Sequence, residues 1–189
     1  SLSNERDRPS LTLPHAQVYV DALEAFGWKG SRQNPIYERD HEPNVLQPAI
    51  LSNGIMSQRL TRLTDEHPLT PVAMEAEDPS ELVERMFVRT LGRAPDASEK
   101  LAYRELLTDG FNNRIISESE RRAAPARVRY PYVTWTNHLR SEANEIKETI
   151  AREIEAGDPP TRYLTDSWRR NFEDGIWALI NSPEMIFVP

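Results

Sequence analysis

The strongest constraint on the fold is a pair of helix-start signals, each an aspartate followed three residues later by a glutamate. Asp78 with Glu81 marks the start of one helix, and Asp96 with Glu99 marks the start of another. Between the two, Gly92 favours the left-handed conformation that ends a helix, and a proline three residues later prevents continuation. The sequence therefore predicts two short antiparallel helices joined by one tight turn.

Apolar residues in both predicted helices recur at three- and four-residue steps, which is the spacing of one helical face. In the first helix these residues are Leu82, Val83, Met86, Phe87 and Leu91, and in the second they are Ala102, Tyr103, Leu106 and Leu107. A helical hairpin buries only part of such faces by itself, so further helices are expected to pack against it.

The composition narrows the class of protein. The 189 residues include no cysteine, which excludes disulfides, thiolate zinc sites and covalently attached haem from this chain. The 23 basic and 30 acidic side chains give a net charge of −7, which disfavours non-specific binding to nucleic acid. No apolar run approaches the length of a membrane span. We therefore expect neither a nucleic-acid partner nor insertion into a membrane. The abrupt polar start at Ser1 is interpreted as a cut within a longer protein.

Fifteen prolines against seven glycines indicate helices separated by stiff connections. Further helices are predicted after Thr12, over residues 44–63 and 137–156, and after Asp166, which is expected to be an N-cap. Asn53 and Gly54 are poor helix formers, so either the helix breaks there or Gly54 lets a neighbouring helix approach closely, and close approach is favoured. Gly175 is interpreted as a point where another helix crosses. Residues 65–77, which contain two prolines, are predicted to be a linker. The fold class is mainly α, an irregular bundle of about five to six helices with long proline-marked loops.

The predicted organisation is a polar tail at residues 1–10 followed by a single helical domain at 11–189. Residues 111–160 are expected to carry a long amphipathic helix with a narrow apolar stripe. Such a stripe is typical of a helix on the outside of a bundle.

Two stretches are candidates for binding. The polar loop 29–44 is dense in charge, and loops on a rigid scaffold often carry function. The segment 111–135 interleaves arginines with aromatics, a pattern found on nucleic-acid and glycan surfaces. Local charge balance in an acidic protein, with the aromatics packed against the core, is the favoured explanation. The candidate binding residues are Arg39, Asp40, His41, Glu42, Tyr132 and Trp135.

No catalytic or metal-binding signature stands out. The four histidines are scattered, and none has a partner at a helical zinc-ligand spacing. Carboxylates around Asp40 and Glu42 leave a hydrolase as one alternative. The sequence favours a role without catalysis, and no metal or cofactor is expected in this domain.

Three segments resemble a C-terminal domain of unknown function found in large, apparently exported planctomycete proteins, usually downstream of a cytochrome-c-like domain. These segments are 38–54, Leu82 to Glu99, and 178–187, and they place the similarity over most of residues 11–188. Residues 111–160 carry little of the similarity, so the resemblance implies that they are a variable insertion. The resemblance implies a helical module with no assigned activity and an exported or periplasmic location. Haem, where the parent protein binds it, would lie in an upstream domain. The polar positions that match the family pattern are Arg39, Gln47, Asn53, Asn181 and Glu184.

Those matching polar side chains are expected to satisfy backbone groups between helices. Together, the residues and the resemblance predict a non-catalytic accessory or interaction domain of a larger exported protein. It would pack against other domains of its parent or against a protein partner. A glycan- or peptide-binding module and a hydrolase remain the alternatives.

Overall fold

The computed structural model describes residues 16–27, 45–126, 133 and 136–186. Over these residues the chain is mainly helical and contains no strand, which confirms the predicted fold class. The described residues form nine α-helices and one short 3-10 helix (Phe111–Asn113), and the excess over the expected number comes from short helices. In chain order the helices are α1 (Ala16–Ala25), α2 (Leu46–Ser52), α3 (Gly54–Thr61), α4 (Leu69–Glu75), α5 (Pro79–Leu91), α6 (Ala97–Thr108), α7 (Ser141–Ala156), α8 (Asp166–Ile180) and α9 (Pro183–Ile186).

The chain divides into two compact units. Unit 1 comprises Ser1–Ile50 and Pro125–Asp158, and its described helices are α1, most of α2, and α7. Unit 2 comprises Leu51–Ala124 and Pro159–Pro189, and it contains α3 to α6, α8 and α9.

The hydrophobic core of unit 2 is organised around α8, which packs against α3, α5 and α6, while α4 packs against α5. Trp168 and Phe172 of α8 stack with ring centroids 5.5 Å apart, and Phe87 of α5 meets Tyr103 of α6 edge-on at 5.0 Å. The predicted buried face of α8 is confirmed, because its apolar residues are at most 4% exposed. These residues are Trp168, Phe172, Ile176, Leu179 and Ile180.

The two predicted helix starts and the turn between them are present. Asp96 accepts the backbone N–H groups of Ser98 and Glu99, both at 2.8 Å, and Glu99 accepts the Asp96 N–H at 2.7 Å, which completes a capping box. Gly92 ends α5 in the left-handed region with φ +73°. At the other helix start the capping is one-sided: Asp78 caps α5, but Glu81 accepts the N–H of Glu77 rather than that of Asp78.

We expect Asp96→Ala to lower the melting temperature by about 4 °C, since it removes the acceptor for two otherwise unpaired N–H groups of α6. Thermal unfolding followed by circular dichroism measures the change. Glu105→Ala, which alters an exposed carboxylate on the same helix, is the control and should leave the melting temperature nearly unchanged. Equal shifts in the two variants would contradict the capping role.

Three sequence predictions in unit 2 are wrong. The favoured close approach at Gly54 is wrong, because Gly54 has φ +86° and no atom lies within 4 Å of a Cβ built there; the alternative, a helix break at Asn53, is the one observed. The expected linker at 65–77 contains α4, because prolines are tolerated in the first turn of a helix. The N-cap position of α8 is Thr165, and Asp166 is the first helical residue.

The predicted close approach at Gly175 is confirmed. A Cβ placed there would lie 3.5 Å from both Leu106 Cδ2 and Tyr103 Cε1, which belong to α6. These are ordinary van der Waals distances, so an alanine would fit, whereas a side chain larger than alanine would push α6 away from α8. The buried stripe of α6 is narrower than predicted. Leu107 is buried and Tyr103 is half-buried, whereas Ala102 and Leu106 are exposed.

Candidate interaction site

The binding residues predicted from the sequence lie outside the described part of the chain. They are Arg39, Asp40, His41, Glu42, Tyr132 and Trp135. The glycan-binding and hydrolase alternatives depend on these residues and stay predictions.

The matching polar residues that the structure describes bind backbone or neighbouring side chains. In unit 1, Gln47 Nε2 donates to the Ala25 carbonyl at 3.0 Å. In unit 2, Asn181 Nδ2 donates to the Trp177 carbonyl at 2.9 Å. Asn53 occupies the N-cap position of α3, but its side chain donates to Ser52 Oγ at 3.3 Å and makes no cap bond.

The remaining matching residue, Glu184, belongs to a two-carboxylate clamp around Arg93. Arg93 Nε donates to both oxygens of Glu184 at 2.8 and 2.9 Å, and its terminal nitrogens donate to both oxygens of Glu99 at 2.8 Å. The hydrogen bonds from Arg93 lower the pKa of both carboxyl groups. The clamp therefore ties α9 to the turn between α5 and α6.

Arg114 is the most deeply buried cation in the described part of unit 2, with 5% of its surface exposed. Its Nε donates to the Ala73 carbonyl at 2.7 Å, and its Nη2 donates to the carbonyls of Ala76 at 2.6 Å and Met74 at 3.2 Å. These carbonyls lie at the carboxyl end of α4, where backbone acceptors lack helical partners. The guanidinium therefore caps α4 from a distant part of the chain.

Aromatic rings complete the cage of Arg114. Its guanidinium carbon lies 3.7 Å from the ring centroid of Phe111 and 5.7 Å from that of Trp168. Among the described residues no carboxylate pairs with it, and burial lowers its pKa. Carbonyl dipoles and ring faces thus take the place of a counter-ion.

A second polar connection joins the end of α3 to the segment before α8. Asp65 Oδ1 accepts from the Thr161 hydroxyl at 2.8 Å and from the Arg162 N–H at 3.0 Å, while Oδ2 accepts from Arg162 Nε at 2.9 Å. Burial raises the pKa of Asp65, but these hydrogen bonds and the charge of Arg162 outweigh it and lower the pKa overall. Glu173 of α8 makes a related connection by accepting the Leu63 N–H at 2.8 Å.

His67 lies between α3 and α4 in a neutral, hydrogen-bonded state. Its Nδ1 accepts the N–H of Leu69 at 3.2 Å, which assigns the proton to Nε2, and Nε2 lies 3.3 Å from the Leu60 carbonyl. Burial lowers the pKa of His67, although the Leu60 carbonyl and the charge of Glu173 oppose that shift.

Because the pKa of His67 is lower in the folded than in the unfolded state, the unfolded state takes up the proton first as the pH falls. The stability that His67 contributes is complete above its ordinary value of 6.5 and is lost as the pH falls through the folded value. We expect urea titrations between pH 8 and pH 5 to show this decrease, and His67→Gln to flatten it. An unchanged slope in that variant would contradict the assignment.

The surface of unit 2 carries a group of arginines around Tyr163. The guanidinium carbon of Arg121 lies 4.5 Å from the Tyr163 ring centroid, and that of Arg162 lies 5.4 Å from it. Arg162 is neutralised by Asp65 and also donates to the carbonyl of Arg122 at 3.4 Å. We refer to Arg121 and Arg122, with Tyr163 beneath Arg121, as the arginine patch.

The two arginines of the patch differ from those in the core because their charges are poorly balanced. Arg121 is partly buried, has neither a hydrogen bond nor an ion pair within the described part of the chain, and its Nε is buried without a partner. Arg122 is 78% exposed and meets Asp166 at 3.4 Å, while the other oxygen of Asp166 accepts from Arg169 at 3.2 Å. Spare guanidinium N–H groups are therefore available at this surface.

The sequence indicated part of this site and missed the rest. Arg121 and Arg122 belong to the segment singled out for arginines interleaved with aromatics. The aromatic partner of Arg121 is Tyr163, which belongs to a later segment. An isolated antiparallel bridge between Ile115 and Leu164 brings the two segments together, and no local pattern predicts it.

No family model, curated protein or solved structure matches the chain. Within the described residues, no group of three or more histidines and carboxylates is arranged to hold a metal ion. None of the described helices is long and apolar enough to cross a membrane.

Proposed function

We propose that this chain is a non-catalytic helical interaction domain of a larger exported protein, and that it binds a protein partner through the arginine patch. The observation that carries this proposal is the contrast between two sets of arginines in unit 2. Buried Arg114 donates only to backbone carbonyls, whereas Arg121 and Arg122 keep spare donors at the surface.

The patch rests on an ordered support. Next to Tyr163, Leu164 is fully buried in the core, and the Tyr163 carbonyl accepts the Ile116 N–H at 2.9 Å. Binding groups held on a fixed backbone lose little entropy when a partner docks. Arginine and tyrosine are also enriched at the energetic centres of protein interfaces.

The exported, cytochrome-c-associated context in this proposal is supported by the resemblance to the planctomycete C-terminal domains. The resemblance leads to a separate expectation about the parent protein. Upstream of this domain we expect a signal peptide and a Cys-x-x-Cys-His motif, in which haem would be attached. Sequencing the complete parent gene tests this part independently of binding.

Selection of phage-displayed random 12-residue peptides on the immobilised chain tests the binding part. We expect enriched peptides to lose binding to the Arg121→Gln/Arg122→Gln double variant. The enriched peptides should still bind the Arg89→Gln/Arg104→Gln variant, which makes the same charge change at exposed helical positions of unit 2. Absence of enrichment, or enrichment that is indifferent to the patch variant, would overturn the proposal.

A further inference from the structure

We propose that the arginine patch recognises carboxylate side chains of an acidic peptide segment in the partner protein. This inference rests on the proposed function, because it names the chemistry of the partner that the same patch would bind. It follows from the geometry of the two guanidinium groups, from the charges around them and from the ring beneath Arg121.

The geometry of Arg121 suits a planar oxyanion. Its guanidinium lies over the Tyr163 ring, 4.5 Å from the centroid, so one face of the group is occupied by the ring. Its terminal nitrogens make no hydrogen bond within the described part of the chain, and a pair of guanidinium N–H groups matches the two oxygens of a carboxylate. The stacked contact also limits the motion of the side chain before the partner arrives.

Arg122 provides a second, more exposed donor group. Its 3.4 Å contact with Asp166 is long for a charged hydrogen bond. An incoming carboxylate can replace this contact at little cost, because Asp166 keeps its 3.2 Å bond to Arg169. Two neighbouring acidic residues of an extended peptide can therefore be held at once.

Several observations favour an acidic peptide over nucleic acid. The net charge of −7 and the exposed Glu118 and Glu120 before the patch repel any long run of negative charge, so a segment with a few carboxylates is favoured over a long polyphosphate. Single-stranded nucleic acid is held largely by stacking of bases on aromatic rings. Arg121 already lies over the Tyr163 ring, so that face is not open to a base.

Fluorescence anisotropy with a fluorescein-labelled hexaglutamate peptide tests the inference. We expect saturable binding that weakens at least about tenfold in Arg121→Gln/Arg122→Gln and changes little in Arg89→Gln/Arg104→Gln. Raising NaCl from about 50 to about 300 mM should weaken binding severalfold, since the contacts are exposed. Labelled hexaglutamine should not bind.

Each other outcome overturns the inference. Equal loss in both double variants would show attraction to overall charge alone, and no binding of hexaglutamate would exclude carboxylates as the ligand. Preferential binding of a 12-nucleotide single strand, or displacement of hexaglutamate by equimolar inorganic phosphate, would assign the patch to phosphate. If the phage selection instead yields patch-dependent peptides without acidic residues, the proposed function stands and only the carboxylate chemistry fails.

Discussion

Replacing Arg114 with alanine is expected to lower the free energy of unfolding by about 3 to 5 kcal/mol. The substitution leaves the carbonyls of Ala73, Met74 and Ala76 at the end of α4 without their donor. It also removes the cation packed against Phe111 and opens a cavity beside the core. Urea denaturation followed by circular dichroism measures the loss.

Arg114→Lys is the matched control for this change. A lysine keeps the positive charge but has one ammonium group, which cannot reach three carbonyls in the planar arrangement of a guanidinium. We therefore expect the free energy of unfolding of Arg114→Lys to lie between that of the wild type and that of Arg114→Ala. A loss below about 1 kcal/mol in Arg114→Ala would mean that water replaces the guanidinium, and the capping role would be wrong.

Phe172→Ala is expected to cost about 3 to 5 kcal/mol, because a large side chain is removed from a close-packed interior. Phe172 is fully buried in α8 and stacks on Trp168 at 5.5 Å. The cavity would lie within the core that α8 shares with its neighbouring helices. Differential scanning calorimetry and urea titration should agree on the loss.

Phe172→Leu provides the comparison, with an expected loss of about 1 to 1.5 kcal/mol, since it keeps most of the apolar volume. Similar small losses for both variants would show that the α8 core collapses around the deletion. That result would contradict the close packing described for unit 2.

Local signals in the sequence predicted much of unit 2. Three features depend only on residues within one or two helical turns: the capping box at Asp96, the left-handed conformation of Gly92 and the apolar face of α8. The close contact at Gly175 was also predictable, because a glycine beside the apolar face of a helix is typical of a position where another helix crosses.

Long-range arrangements were not predictable from the sequence. Two prolines made α4 resemble a linker, so no helix end was known for Arg114 to cap. The stacking of Arg121 on Tyr163 depends on the bridge between Ile115 and Leu164, which joins segments far apart in the chain. The break at Asn53 was one of two open interpretations, and nothing local decided between a turn and a helix crossing.

The central claim is that buried arginines of unit 2 hold the fold together while the arginine patch is free to bind. The free energy of unfolding of Arg121→Gln/Arg122→Gln in urea tests it most directly. We predict a loss of about 1 kcal/mol or less, as expected for a partly buried cation over a ring and an exposed cation in a weak ion pair. A loss of about 3 kcal/mol or more, similar to that of Arg114→Ala, would show that the patch belongs to the scaffold and would contradict the claim.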